Sequence, residues 1–447
     1  MGNSKLTALF TQEVIKRKDL FRLLTGESYE PPMDVSQLEK DSLAKTFFSL
    51  GGFGWRKTFG WSGLLETVTR PDIKPLEAEA SIYDGVKLLK LFAGTGSVGI
   101  LDLEGFGCEG SLPREIGEFR SIKKLLLGLN VLRGEIPNRI NEFVKIETLD
   151  LTGNELYGDY DDNFFGGIGE KLLNFNLSFN SLSGLLPDCF YNFKALEHLN
   201  LSGNNLIGNL PPSISSLSKL RSLKLYSNLL EGELPQIFST CVAIEDINLS
   251  QNKFFGSPLD VFSNCINLKR LNLSNNLFDK ELNISSISDL NSLELLYLQN
   301  NSIKGEIENQ ISCLVSLRFF NVSNNQIKGK LPPNFGELRK LETCILSNNH
   351  IIGPIPKSLS EICNLKDFHI FNQWPSESMS LPREFKSLTY RRLYKDALLL
   401  RFDSLSWDEH QKLKTVSSSR NINNGKNNVD IKSKKKKKKK NEKNVHK

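Results

Sequence analysis

The residues best suited by type and spacing to do chemistry fail on context. Gly94-Thr95-Gly96-Ser97-Val98-Gly99 has the spacing of a dinucleotide-binding loop. Such a loop works only between a strand and a helix, where the pyrophosphate meets the helix N-terminus. Here Ile100-Leu101-Asp102-Leu103 follows, alternating like a strand, so the glycines read as a loop and no cofactor is expected. The five histidines, His198, His350, His369, His410 and His446, are far apart, and none stands at a motif spacing from a cysteine or serine nucleophile. There is no Walker lysine, no H-E-x-x-H and no kinase signature. The seven cysteines are odd in number and include no C-x-x-C, which argues against a zinc site. Cys241 and Cys265 stand 24 residues apart, each three before an isoleucine or leucine, and read as buried free thiols. The expectation is a non-enzyme with no metal, no cofactor and no small-molecule substrate.

The informative spacing belongs to asparagine. Asn130, Asn154, Asn180, Asn204, Asn228, Asn252, Asn276, Asn301, Asn325 and Asn349 follow one another at steps of 24 or 25 residues, with a single step of 26. Each closes one phrase, as in Leu199-x-Leu201-x-x-Asn204-x-Leu206-x-Gly208-x-Leu210-Pro211. A period of this length is the mark of a solenoid. The two leucines alternate on a short strand and face inward. The asparagine suits the corner that follows, because its amide both donates to and accepts from backbone groups the turn leaves unpaired. Gly208 allows a backbone conformation costly to other residues, and Pro211 opens the looser outer segment. One copy cannot bury its leucines alone, so the copies must stack, with parallel strands along one face.

The phrase L-x-x-L-x-L-x-x-N-x-L-x-G-x-[IL]-P resembles the plant-type leucine-rich repeat. Leu132 to Pro137 and Ile352 to Pro356 match it closely. Eleven copies and a degraded twelfth at Phe368-x-Ile370 cover residues 98–373. The first has Phe106 in place of asparagine, the copy at Tyr160 lacks the proline, and the copy ending at Leu282 lacks it too and has Lys280 for glycine. The resemblance implies an α/β repeat solenoid, a horseshoe or superhelix with its strands on the concave face and with capped ends. Residues 36–97 are similar to the helical cap that precedes such repeats. Ser36-x-x-Glu39 is a capping box opening a helix through Leu43, Phe47 and Leu50, and Trp55, Trp61 and Tyr83-Asp84-Gly85-Val86 follow. The cap's usual cysteine pair is missing. Residues 1–35 read as an extension with one helix, and 374–408 as an irregular C-terminal cap.

The net charge of +6 joins unlike parts: residues 411–447 hold fourteen Lys or Arg against two acids, a balance of +12, and leave about −6 for the rest. Residues 409–447, with Lys434 to Lys440 unbroken, read as a disordered basic tail. Its candidate contacts are nucleic acid and anionic membrane, which makes a tail-based scaffold one alternative function. Gly2-Asn3-Ser4-Lys5 begins like a myristoylation site but has Leu6 where the motif wants Ser or Thr. No apolar run suggests a leader or a membrane span, so the expected address is the cytoplasm, with the nucleus second. On that reading the seven N-x-[ST] sequons, at Asn176, Asn200, Asn248, Asn272, Asn283, Asn300 and Asn321, are not expected to carry glycans; five merely follow from the repeated strand.

Function is therefore expected on the concave face, as recognition of a protein or peptide. The other alternative is a cell-surface or secreted receptor ectodomain whose N-terminus is incomplete. Each copy presents the residues before, between and after its two strand leucines. Most are small and polar. The candidate contact residues are Lys224, Tyr226, Asp246, Arg270, Leu295, Tyr297, Phe319 and Ile345. Asp246 and Arg270 face each other, with Lys224 before them. Leu295, Tyr297, Phe319 and Ile345 are expected to form an exposed apolar strip, with Tyr297 and Phe319 side by side and Glu294, Arg318 and Asn321 as a polar rim.

Overall fold

The leucine alternation becomes one continuous sheet. In the computed structural model, twelve short strands stack in parallel: Gly96–Asp102, Lys124–Leu126, Thr148–Asp150, Asn174–Asn176, His198–Asn200, Ser222–Lys224, Asp246–Asn248, Arg270–Asn272, Leu295–Tyr297, Phe319–Asn321, Thr343–Ile345 and Asp367–His369. They define copies 1 to 12. Register is kept from copy to copy, Leu199 opposite Leu223, Leu223 opposite Ile247 and Ile247 opposite Leu271. The structure describes residues 86–90, 96–159, 167–371 and 373, with Ser42, Lys45, Thr46, Ser49 and Leu50. All belong to one unit of the chain, Met1–Leu388. The N-terminal extension, Trp55 and Trp61 of the cap, the C-terminal cap and the basic tail lie outside the described residues.

Two features at the ends depart from the expectation. Val86–Lys90 adds a thirteenth strand, antiparallel to Gly96–Asp102, with Val86 opposite Leu101. The degraded twelfth copy still contributes a full strand, and its corner is held by Gln373, 24 residues after Asn349. Its Nε2 donates to the Leu346 carbonyl at 3.0 Å and its Oε1 accepts the Ile351 N–H at 3.0 Å. Glutamine carries the same amide as asparagine, so the rung survives the change. Near the other end Ser42, Lys45, Thr46 and Ser49 are helical, and the buried Leu50 accepts the Glu109 N–H through its carbonyl at 3.1 Å.

Beyond the asparagine corners the chain forms three shorter ladders, of four, four and two strands, and then 3-10 turns such as Pro212–Ser216. Gly208 sits there at φ +76°, in the left-handed region its phrase requires. The core between the layers is made of side chains repeating at fixed places. Copies 2 and 3 put Ile116 with Phe119 and Ile140 with Phe143; copies 7 and 8 put Phe238 with Cys241 and Phe262 with Cys265, all buried. A larger ring at one place offsets a smaller thiol at the other, and Phe238 and Phe262 pack at 5.0 Å. Conserving volume in this way keeps stacked copies in register. Both thiols are free, and burial pushes that of Cys265 up to about 12, so packing explains them without reactivity.

Candidate functional site

The asparagine ladder frames the strand face. Asn228 is typical. Its Nδ2 donates to the carbonyls of Leu225 and Leu201, both at 3.0 Å, and its Oδ1 accepts the Leu206 N–H at 3.0 Å. One side chain thus ties its own corner to the preceding copy. Where Phe106 replaces the first asparagine, Asn130 accepts from both Gly107 and Cys108, each at 2.9 Å. A second column lies beside it. The residue before each ladder asparagine adopts positive φ, as in Gly203 at +66° and Asn275, Asn300, Asn324 and Asn348 between +55° and +58°. Asparagine tolerates this region. In the late copies these side chains also link: Asn300 donates to Asn275 at 2.8 Å, Asn324 to Asn300 at 2.6 Å, and Asn348 to Asn324.

On the opposite edge of the strands runs an ion-pair spine that the sequence reading missed. The position before each strand alternates in sign through Glu197, Arg221, Glu245, Lys269, Glu294, Arg318, Glu342 and Lys366. Arg221 reaches Glu245 at 2.8 Å and Glu197 at 3.5 Å, Lys269 reaches Glu245 at 2.7 Å, and Arg318 and Lys366 both hold Glu342. The Lys269 hydrogen bond first, then Arg221, holds the Glu245 carboxyl below its usual range; Lys366 first, then Arg318, does the same for Glu342. Glu294 and Arg318, assigned to a rim around the apolar strip, belong to this spine, 3.8 Å apart. The signal was legible as alternating charge at the repeat period.

Of the candidate contact residues, Asp246 and Arg270 pair across register partners at 3.0 Å, and Asp246 is buried. Each is an ion-pair partner of the other. Lys224 is half-buried in copy 6, while Tyr226 is buried, its ring edge-on to Phe179 at 6.1 Å. The expected strip requires correction. Tyr297 and Phe319 do lie together, ring centroids 4.4 Å apart and nearly parallel, but diagonally: Phe319 is opposite Leu295, and Tyr297 is opposite Asn321. Tyr297 is only 6% exposed, and Asn321 is buried too. At this exposure, and stacked on Phe319, Tyr297 is not a presented side chain. Burial also raises its phenol well above the usual range. Phe319, Leu295 and Ile345 are half-buried and keep part of their surface.

A polar irregularity lies in the copies before the strip. In copies 4 and 5 the strand asparagines donate backward, Asn176 to Asp150 at 3.0 Å and Asn200 to Ser178 at 3.2 Å. Copy 6 offers Lys224 and Tyr226 at those places, and Nδ2 of Asn248 is buried without a hydrogen-bond partner. Among the described residues no cluster of three His, Cys, Asp or Glu could hold a metal ion, and no described helix is long and apolar enough to cross a membrane.

The fold and this face define a repeat solenoid built to present side chains from a ladder of strands. A leucine rich repeat family model matches residues 145–206, and a second, also a leucine rich repeat, matches 292–314, 316–338 and 340–362. The chain is a leucine-rich repeat protein of the plant type. Among solved structures it is similar to the Arabidopsis receptor kinase HAESA in complex with the peptide hormone IDA and the co-receptor SERK1, at 25% identity and TM-score 0.63, over 75% of this chain and 53% of that one. It is also similar to the plant peptide hormone receptor RGFR1 in complex with RGF2, at 29% identity and TM-score 0.58, over 63% of this chain and 44% of that one. The chain thus spans about half the length of these receptor structures. A plant ice-binding protein, at 22% identity and TM-score 0.51, over 78% of this chain and 99% of that one, shares the fold. No curated protein matches the chain.

Proposed function

We propose that this solenoid is a recognition module that holds an extended peptide or protein segment on its strand face, on the cell surface or in the extracellular space. The observation that carries the binding site is local. Elsewhere on this face the side chains pair with one another, in the amide columns, the ion spine and the Asp246–Arg270 pair. Across copies 9 to 11 the same pairings flank Leu295, Phe319 and Ile345, half-buried apolar groups, with Phe319 stacked on the Tyr297 ring. A stacked, partly exposed aromatic ring within a self-paired polar surround has the anatomy of a binding anchor.

The similar receptor structures hold peptide hormones, as their names state, and this supports the extracellular alternative over the cytoplasmic expectation. Binding rather than catalysis is the reading that fits both. The test is affinity capture of peptides from the secreted fraction of the source tissue, on the full chain and on Phe319→Ala. A true anchor should cost about 2 kcal/mol, roughly a thirtyfold loss of affinity. Equal capture by both proteins would remove the strip from the reading.

A further inference from the structure

All seven sequons lie among the described residues, and the structure separates one from the rest. Five stand on the inner strands, and their asparagines are structural. Asn248, Asn272 and Asn321 are 1%, 4% and 2% exposed. In each, Oδ1 accepts both the N–H and the hydroxyl of the serine two residues on, Ser250, Ser274 or Ser323. Asn176 and Asn200 make the same bonds to Ser178 and Ser202 and donate backward as well. The serine that makes the motif a sequon is thus the serine that the asparagine holds. A sugar on any of these nitrogens would have to stand inside a strand ladder whose spacing is only ~4.8 Å. Asn300 is likewise committed, donating to Asn275 and accepting from Asn324 in the left-handed column.

Asn283, also half-buried, differs in where it lies and in what holds it. It lies outside the strand ladders, in the loop leading into the 3-10 turn Ile284–Ile287. Its Nδ2 donates to the exposed carboxylate of Asp260 at 2.8 Å, a bond that water can replace. Ser285 is exposed, its hydroxyl donating to Glu308 at 2.9 Å. We propose that Asn283 is the one sequon of this chain competent to carry an N-linked glycan in the folded protein. The inference rests on the extracellular half of the proposed function, since only a chain in the secretory pathway meets the donor. That donor is an oligosaccharide on a lipid pyrophosphate. The Asn283 nitrogen bonds to the sugar's anomeric carbon and gives up a proton, the bond from that carbon to the pyrophosphate oxygen breaks, and the lipid pyrophosphate leaves. The glycan would sit on the outer layer and leave the strand face clear.

The test expresses the full chain behind an added secretory leader in plant cells and maps glycans on the secreted protein by peptide mass spectrometry before and after glycosidase. Occupancy is expected at Asn283 alone. Asn283→Gln should abolish the glycosidase shift, and so should Ser285→Ala, which leaves the asparagine in place. A glycan at any strand sequon or at Asn300, or a secreted folded protein bare at Asn283, overturns the inference. Because the leader forces entry, this result does not depend on where the native protein resides. Glycosidase treatment of protein from the source tissue reports that separately: a native chain that never shifts, beside a leader-borne chain modified at Asn283, refutes the extracellular reading and leaves the acceptor assignment standing.

Discussion

Replacing Asn228 by alanine removes four hydrogen bonds at once: three donated by Nδ2, to Leu201, Leu225 and Tyr226, and one accepted by Oδ1 from Leu206. They are not of equal consequence. The Leu201 carbonyl also accepts from Asn204, and the Leu225 carbonyl from Asn252, each at 3.0 Å, so both keep a partner. The Leu206 N–H is left with no acceptor in a buried corner. One orphaned buried donor costs about 1–3 kcal/mol, and the lost donations move the sum toward the upper end. Asn228→Asp sharpens the test. It keeps the acceptor for Leu206 but turns a second carboxylate oxygen toward two carbonyl oxygens, so at neutral pH it should destabilise at least as much. The control is the exposed Asn205→Ala, expected to change stability by less than about 0.5 kcal/mol. Urea unfolding measures the total. Hydrogen exchange at the Leu206 amide measures the local opening, which matters because stacked repeats need not unfold in one step. If Asn228→Ala matches the Asn205 control and the Leu206 amide stays protected, the ladder does not hold the coil.

Further outcomes follow from the same geometry. Leu129 is 62% exposed and held at φ +55°, where most other copies use glycine or asparagine, so Leu129→Asn should raise stability by about 1 kcal/mol in urea unfolding; a decrease would refute the strain. Tyr297→Ala should cost about 2–3 kcal/mol of stability, through its buried ring and the stack, whereas Phe319→Ala should cost less and act mainly on partner binding; equal stability losses would contradict the division of roles. Glu342, its carboxyl lowered by Lys366 and then Arg318, contributes stability that is present above the unfolded carboxylate range and lost as pH falls through its lower folded value. Because the pairs are partly exposed, Glu342→Gln should cost under about 1 kcal/mol near neutral pH, a difference that shrinks with salt and vanishes in acid; a deficit unchanged at low pH would rule the pairing out.

The repeat, its ladder and the parallel sheet were legible in the sequence because every element of the phrase acts within its own copy or an adjacent one. Leu199, Leu201, Asn204 and Gly208 each need only a short strand, a corner and a left-handed turn, and the period restates that need through the chain. The ends were less legible, since no neighbouring copy repeats there. The rung at Gln373 is hidden by a change of residue type, and the antiparallel strand Val86–Lys90 has no partner of its own kind. The surface was decided only by the tertiary structure. That Tyr297 is buried, and that its ring stacks on Phe319, 22 positions onward and diagonal in the sheet, is visible only once the copies are stacked. The bonds that commit Asn248 to Ser250, and the exposed carboxylate of Asp260 that meets Asn283, likewise appear only once the chain is wound. Local sequence determines backbone conformation and inward-facing residues, while exposure is a property of the stacked copies, so the fold could be read residue by residue and the site could not.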